Sequence, residues 1–190
     1  SEKVIDENVR SHLLDSMPIV VANNKRSNTA RAASGLCNKG YCSSKEMYYY
    51  GVKLHTLGQK RLNTIPKMCM MRVEPASESD ITIAKEMLSD VHNIDIFADK
   101  MFADKSWAEE LGKRNVHIFT PVKRKKGQSA LNSTDALFSY AVSRARQAIE
   151  SHYNWIQQKT RIHYASKVRS DNGLIAFIFA RLAFLEFFYS

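Results

Sequence analysis

Three cysteines in 190 residues, Cys37, Cys42 and Cys69, are too few and too odd in number for a disulfide framework. No second Cys or His pair follows Cys37 and Cys42 at zinc-binding spacing, so all three read as free thiols suited to a reducing cytoplasm. A secretory leader is not expected either, because the chain opens on the polar Ser1-Glu2-Lys3. It also opens without methionine, which suggests a piece of a longer protein lacking an upstream domain. No apolar run reaches the ~20 residues of a spanning helix. The longest, Gly173 to Tyr189, is interrupted by Arg181 and Glu186. It reads as a core-packing helix over 174–189, with contact to a partner chain as the alternative. Acidic residues are the remaining shortage, 19 against 28 Lys and Arg, which gives a net charge of +9. A surplus of that size suits a polyanionic partner, nucleic acid first, although a solvated cationic surface has the same composition. The hydrophobic share of 44% and charged share of 25% are ordinary globular values, for one domain large enough to hold a core.

What the chain does contain is an acid inside an apolar strand. Leu13-Leu14-Asp15-Ser16-Met17-Pro18-Ile19-Val20-Val21 reads as a strand with one carboxylate in its middle and a proline where pairing loosens. A carboxylate in a buried run is costly unless paired, and a divalent cation is one such partner. Taken alone, the stretch equally accommodates an Asp in a turn just past a strand end. A second apolar stretch ends the same way, Ile94-Asp95-Ile96-Phe97-Ala98-Asp99-Lys100, and a glutamate follows on a strong helix at Glu150.

Between these acids the elements follow in order. Residues 22–46 are polar and basic, with Lys25, Arg26, Arg31, Lys39 and Lys45, and read as a long excursion suited either to solvent or to a phosphate backbone. The aromatic and β-branched run Met47 to Leu57 reads as a half-buried strand. Thr64 to Val73 makes its antiparallel partner, with Pro66 near its start. Ser77-Glu78-Ser79-Asp80 caps a helix through Ile81, Ile83, Ala84, Met87 and Leu88. A strand over 93–98, a helix over 107–113 and a strand over 116–120 come next, and then the basic loop Lys123-Arg124-Lys125-Lys126-Gly127. A long helix starts with Ser133 or Thr134 as N-cap, and Phe138, Val142, Ala145, Ile149, Tyr153 and Ile156 mark its buried face. Glu150 lies about 100° round from Ile149, at the border of that face. Arg146, four residues earlier, is placed for an ordinary ion pair with it, or to orient it or hold a phosphate.

This order, strand–hairpin–helix–strand–helix–strand–helix with acids on the first strand, the fourth strand and a late helix, resembles the RNase H-like fold. Four motifs narrow the resemblance: Leu14-Asp15-Ser16-Met17-Pro18-Ile19, Tyr50-Gly51-Val52-Lys53-Leu54-His55, Ala98-Asp99-Lys100 and Arg146-Gln147-Ala148-Ile149-Glu150. In order and spacing they resemble the DDE transposases of bacterial insertion sequences over roughly residues 10–160. Pro75-Ala76-Ser77-Glu78-Ser79-Asp80 resembles that family's segment between third strand and first helix. The resemblance implies an α/β domain with a mixed five-stranded sheet of order 3-2-1-4-5 flanked by helices, in a bacterial cytoplasm at the nucleoid. An N-terminal DNA-binding domain of the kind many relatives have is expected to be absent. The short interval between Asp99 and Glu150 leaves little room for the insertion domain that some relatives carry. One departure stands out. The related Tyr-x2-Arg-x3-Glu-x6-Lys signature finds Arg146 and Glu150 here, but Ser143 and Gln157 where Tyr and Lys belong, with Lys159 two positions late.

By resemblance Asp15, Asp99 and Glu150 are the catalytic and metal-binding triad, holding two Mg²⁺ (or Mn²⁺) ions. Asp15 bridges the two, and Asp99 and Glu150 hold one each. Magnesium prefers oxygen ligands and keeps waters, so a few carboxylates suffice. Water attack then frees a 3′-OH at the transposon end, and that hydroxyl attacks target DNA. Lys53, Lys100, Lys123, Arg124, Lys125 and Arg146 are the candidate DNA contacts. His55 either lines the cleft or serves as a buried structural histidine. Bringing two ends together is compatible with a homodimer. Two other classes compete, an RNase H-like nuclease without strand transfer and a DNA-binding remnant that no longer cuts.

Overall fold

The computed structural model describes residues 9–189, with the side chains of all but 44 and 185–189. Ser1-Glu2-Lys3 and the side chain of Glu186 lie outside the described residues. The elements run β1 (Ser11–Ala22), β2 (Asn38–Cys42), β3 (Met47–Gln59), β4 (Lys67–Pro75), α1 (Asp80–Met87), β5 (Asp95–Ala98), α2 (Lys105–Gly112), β6 (His117–Phe119), α3 (Ser133–Thr160) and α4 (Asp171–Tyr189). The strands form one mixed sheet in the order β2-β3-β1-β5-β6, and β4 also pairs with β3. Without β2, the remaining five strands keep the expected 3-2-1-4-5 order. The fold is α/β and RNase H-like.

β2 is the departure, since it lies inside the basic excursion read as a loop. It pairs antiparallel with the start of β3, from Asn38↔Gly51 to Cys42↔Met47. Asn38-Lys39-Gly40 carries little β-propensity, so cross-strand pairing, not local preference, makes this a strand. β3 differs too: it is buried on both faces over most of its length, as a central strand must be, where alternation suggested one solvated face. His55 is 1% exposed within it, a structural position.

The chain divides into two compact units. The first comprises Ser1–Asp15, Thr56–Met71 and Asp80–His152. Here β1 and β5 pair in parallel, Ser11↔Asp95 to Leu14↔Ala98, and β5 and β6 pair in parallel, Asp95↔His117 to Phe97↔Phe119. Parallel strands need a crossover, which α1 and α2 supply. Their apolar faces meet Leu14, Leu57, Ile96 and Val116 in one core: Ile83, Ala84 and Met87 from α1, Trp107 and Leu111 from α2. Each fully buried large apolar side chain contributes about 1.5–3 kcal/mol relative to exposure. Asp104 starts α2 by accepting from the Trp107 backbone N–H at 3.1 Å. Its bonds from Lys85, Trp107 and Ser106 hold its carboxyl well below the usual range.

The second unit comprises Ser16–His55, Arg72–Ser79 and Tyr153–Ser190. Val20, Tyr49 and Ala76 form its small described core cluster. Val20 also exchanges backbone bonds with a segment after α3, donating to the His163 carbonyl at 3.0 Å and accepting from Ala165 at 2.8 Å. On α4 the buried side chains Leu174, Ile178 and Leu182 recur every four residues, while Ile175 and Phe179 stay exposed. That is the face of a packed helix. Among the described residues, no helix is long and apolar enough to cross a membrane. The three cysteines are free thiols, and burial pushes Cys37 up to about 12.

Gly51, inside the Tyr-Gly-Val-Lys motif, has a packing reason. A Cβ there would overlap the backbone carbonyl of Ile19, which has nowhere to retreat inside paired strands. Gly51→Ala is therefore expected to cost about 2–3 kcal/mol, read as a lowered thermal midpoint. An unchanged midpoint would show that β1 and β3 tolerate separation at this point.

Candidate active site

β1 is covered on both faces at Leu13 and Leu14, which are buried, and Asp15 after them is partly exposed. Because Leu14 pairs with Ala98 in parallel register, the next residues, Asp15 and Asp99, follow on adjacent strands. Asp99 follows β5 directly and caps a single 3₁₀ turn, Lys100–Phe102, accepting from the Lys100 N–H at 2.7 Å. One acid inside β1 and one just past the end of β5 follow directly from the register.

The third acid comes from α3. Its N-cap is Asn132, not Ser133 or Thr134: the Asn132 Oδ1 accepts from the Asp135 N–H at 2.8 Å while its amide donates to the Asp135 carboxylate. Val142, Ala145, Ile149, Tyr153 and Ile156 form the buried face as expected. Phe138 does not. It is 41% exposed, one turn from the helix start, with its ring 6.5 Å from that of Phe119. Packing of α3 thus begins at Val142, and it leaves Glu150 at the face's border with a side chain 55% exposed.

Arg146 is where the three acids meet. Its Nη2 lies 3.3 Å from Asp15 Oδ2 and 3.6 Å from Glu150 Oε1, and its Nη1 lies 3.7 Å from Asp99 Oδ1. The Arg146 side chain is only 10% exposed, so these attractions act at reduced dielectric. One guanidinium against three carboxylates leaves the cluster with excess negative charge. Its buried Nε–H has no hydrogen-bond partner among the described residues. The arginine is held by charge more than by a complete set of hydrogen bonds.

The donor chemistry fits hard divalent cations: three carboxylates, two of them converging on one cationic nitrogen. Among the described residues, no group of three His, Cys, Asp or Glu side chains stands close enough to hold a metal unaided. The three acids are instead arranged round the Arg146 guanidinium. Three oxygen-donor side chains are the ligand type a hard divalent cation takes, and in this arrangement the arginine neutralises part of their charge.

Of the other sequence candidates, Lys100 follows Asp99 and is exposed. Lys123, Arg124 and Lys125 are exposed in the β6–α3 loop, where Arg124 reaches the Ser129 carbonyl. Lys53 belongs to the second unit, with its Nζ donating to the Glu78 carbonyl at 2.7 Å. Four candidates are thus gathered, Asp15, Asp99, Arg146 and Glu150. Sequence spacing foretold the Arg146–Glu150 pair; the reach of Arg146 to both aspartates depends on tertiary packing, and no local signal carried it.

Two buried histidines give the unit a pH dependence. His12 shares its Nδ1–H with the Arg10 carbonyl at 2.9 Å, and burial lowers its pKa. Burial, then the nearby Arg61, lowers His152 to about 4. Between the unfolded value near 6.5 and these lowered values, the unfolded chain binds protons that the folded chain refuses. Stability is therefore complete above about pH 6.5 and falls as pH drops toward 4. The urea midpoint is expected to decline from pH 7 to pH 5; a flat midpoint would contradict this.

The RNase H-like sheet thus carries Asp15 within β1 and Asp99 just past β5, with Glu150 on α3. A family model described as a transposase DDE domain matches residues 7–170, and the chain belongs to that family. The match spans Asp15, Asp99, Arg146 and Glu150 and stops just before α4. Its members are polynucleotidyl transferases that act on DNA and generally use divalent metals. No curated protein matches the chain.

Proposed function

We propose that the chain cuts DNA at a transposon end and transfers the freed 3′-OH to target DNA, with Asp15, Asp99 and Glu150 as its catalytic carboxylates. The observation that carries this reading is the convergence of these three acids, from three distant segments, on Arg146. Asp15 and Asp99 would together hold one divalent ion, and Asp15 and Glu150 a second. When bound, such ions neutralise the phosphate, activate a water and stabilise the leaving oxygen. Asp15 within β1 and Asp99 directly after its paired strand β5 supply fixed positions, while the more exposed Glu150 can adjust as the substrate changes between the two steps. Arg146, released from the acids, is placed to orient Glu150 or bind a phosphate oxygen. Lys100 and the Lys123–Lys125 loop, and Lys53 in the second unit, supply further cations for the DNA backbone. Two ends must be brought together, which suits a homodimer.

Ser143 and Gln157, where the family signature has Tyr and Lys, favour one second reading: a nuclease using water alone. A labelled transposon-end substrate with Mg²⁺ or Mn²⁺ separates the two. The proposal expects nicked and then joined products, both lost in Asp99→Asn. Nicking without joining selects the nuclease, and wild-type activity in Asp99→Asn rejects the site.

A further inference from the structure

A cavity of about 830 Å³ lies within the second unit, walled by the end of α3, residues 161–167 and one face of α4. A recess of this size is typical of sites for small ligands. Three cations line it, Arg161, Lys167 and Arg181, and no acid does. Among the described residues neither Arg161 nor Lys167 has a carboxylate partner. The field is positive enough that, after burial, Lys45 and Arg161 both lower the pKa of His163 in the cavity wall.

Two of these walls are prearranged. The Arg181 guanidinium is stacked over the Phe177 ring at 3.4 Å to its centroid, with Nε donating to the Thr160 carbonyl and Nη1 to that of Phe177. Two of its five N–H groups are used, which leaves three for an anion. Tyr164 is 49% exposed, yet its backbone is pinned because Val20 pairs on either side of it, with His163 and Ala165. A fixed, half-exposed aromatic ring beside fixed cations is the arrangement that binds an unstacked base together with its phosphate.

We propose that this cavity takes an unpaired nucleotide of a DNA strand, its phosphates on Arg161, Lys167 and Arg181 and its base stacked on Tyr164. Gln157 and Gln158 in the same wall offer amide donors and acceptors to the base edge. An intact duplex keeps its bases inside and presents phosphates on a convex surface, so it has no use for a recess of this volume. The inference shares with the catalytic reading only DNA as partner. It needs neither metal nor the three acids.

The test is fluorescence anisotropy of the full chain in EDTA, with labelled dT12 or a blunt duplex across a salt series. Lys167→Gln combined with Arg161→Asn is expected to reduce the dT12 salt slope by about 1.4, two lost phosphate contacts at roughly 0.7 each. Asparagine is chosen because residue 161 has a φ of 51°, which it tolerates. Tyr164→Ala is expected to weaken dT12 binding ~10-fold at unchanged slope and leave duplex binding alone. The site is overturned if both variants keep wild-type dT12 affinity, or if Tyr164→Ala weakens duplex equally. It is likewise overturned if dTMP or a poly-glutamate peptide displaces dT12 as well as unlabelled dT12 does. Far-UV circular dichroism checks that each variant is folded. Because no metal is present, failure here leaves the Asp99→Asn cleavage result standing, and the reverse also holds.

Discussion

Asp15→Asn is expected to slow DNA cleavage by about 10³-fold or more while leaving the protein folded. In the proposed site Asp15 is the carboxylate shared between both cations, so its loss removes charge stabilisation from the attacking and leaving oxygens together. A change on the order of 4 kcal/mol in the barrier gives that factor. The fold should survive for a separate reason. Asparagine keeps the shape, Arg146 retains Asp99 and Glu150, and one negative charge leaves a cluster that holds too many. Plasmid nicking and thermal unfolding, read together, check both halves. A folded variant that cuts at the wild-type rate would remove Asp15 from the chemistry.

Arg146→Ala is expected to cost about 2–3 kcal/mol of stability in EDTA, and divalent cations should restore most of it. Removing one partner of a buried ion pair typically costs about 3–5 kcal/mol, and the exposure of Asp99 and Glu150 reduces that figure. An ion that binds the folded chain alone stabilises it by about 2.7 kcal/mol at a hundred times its dissociation constant. Mg²⁺ should therefore raise the thermal midpoint of the variant more than that of the wild type, in which the guanidinium must first be displaced. Equal shifts would mean that Arg146 and the ion do not share a position.

The element order and the acid spacing were legible in the chain because they rest on local pattern. β1 and β5 are apolar runs each marked by an acid, α3 carries a strong helical period, and α1 has a clear start. The start of α2 at Lys105, capped by Asp104 and ahead of the expected Trp107, was missed. β2 was not legible, since Lys39 and Gly40 argue against a strand and only pairing with β3 makes one. Phe138 fits the helical period of α3 but precedes the point where that helix meets its core. Arg146 exposes a deeper limit. An i,i+4 partner can be counted along a helix, but partners on two strands exist only after the sheet has formed. The cations of the second-unit cavity were likewise unremarkable in the chain, since Arg161, Lys167 and Arg181 come together only when α4 folds back past residues 161–167.

The central claim, that Asp15, Asp99 and Glu150 bind the ions that do the chemistry, is tested most directly by soaking crystals in Mn²⁺ and recording anomalous scattering from wild type and Asp99→Asn. The account predicts manganese between Asp15 and Asp99 with Glu150 drawn in, the Arg146 guanidinium displaced, and the signal lost in the variant. Ordered crystals with Asp15 and Asp99 still on Arg146 at saturating Mn²⁺, and no anomalous peak beside them, would contradict it.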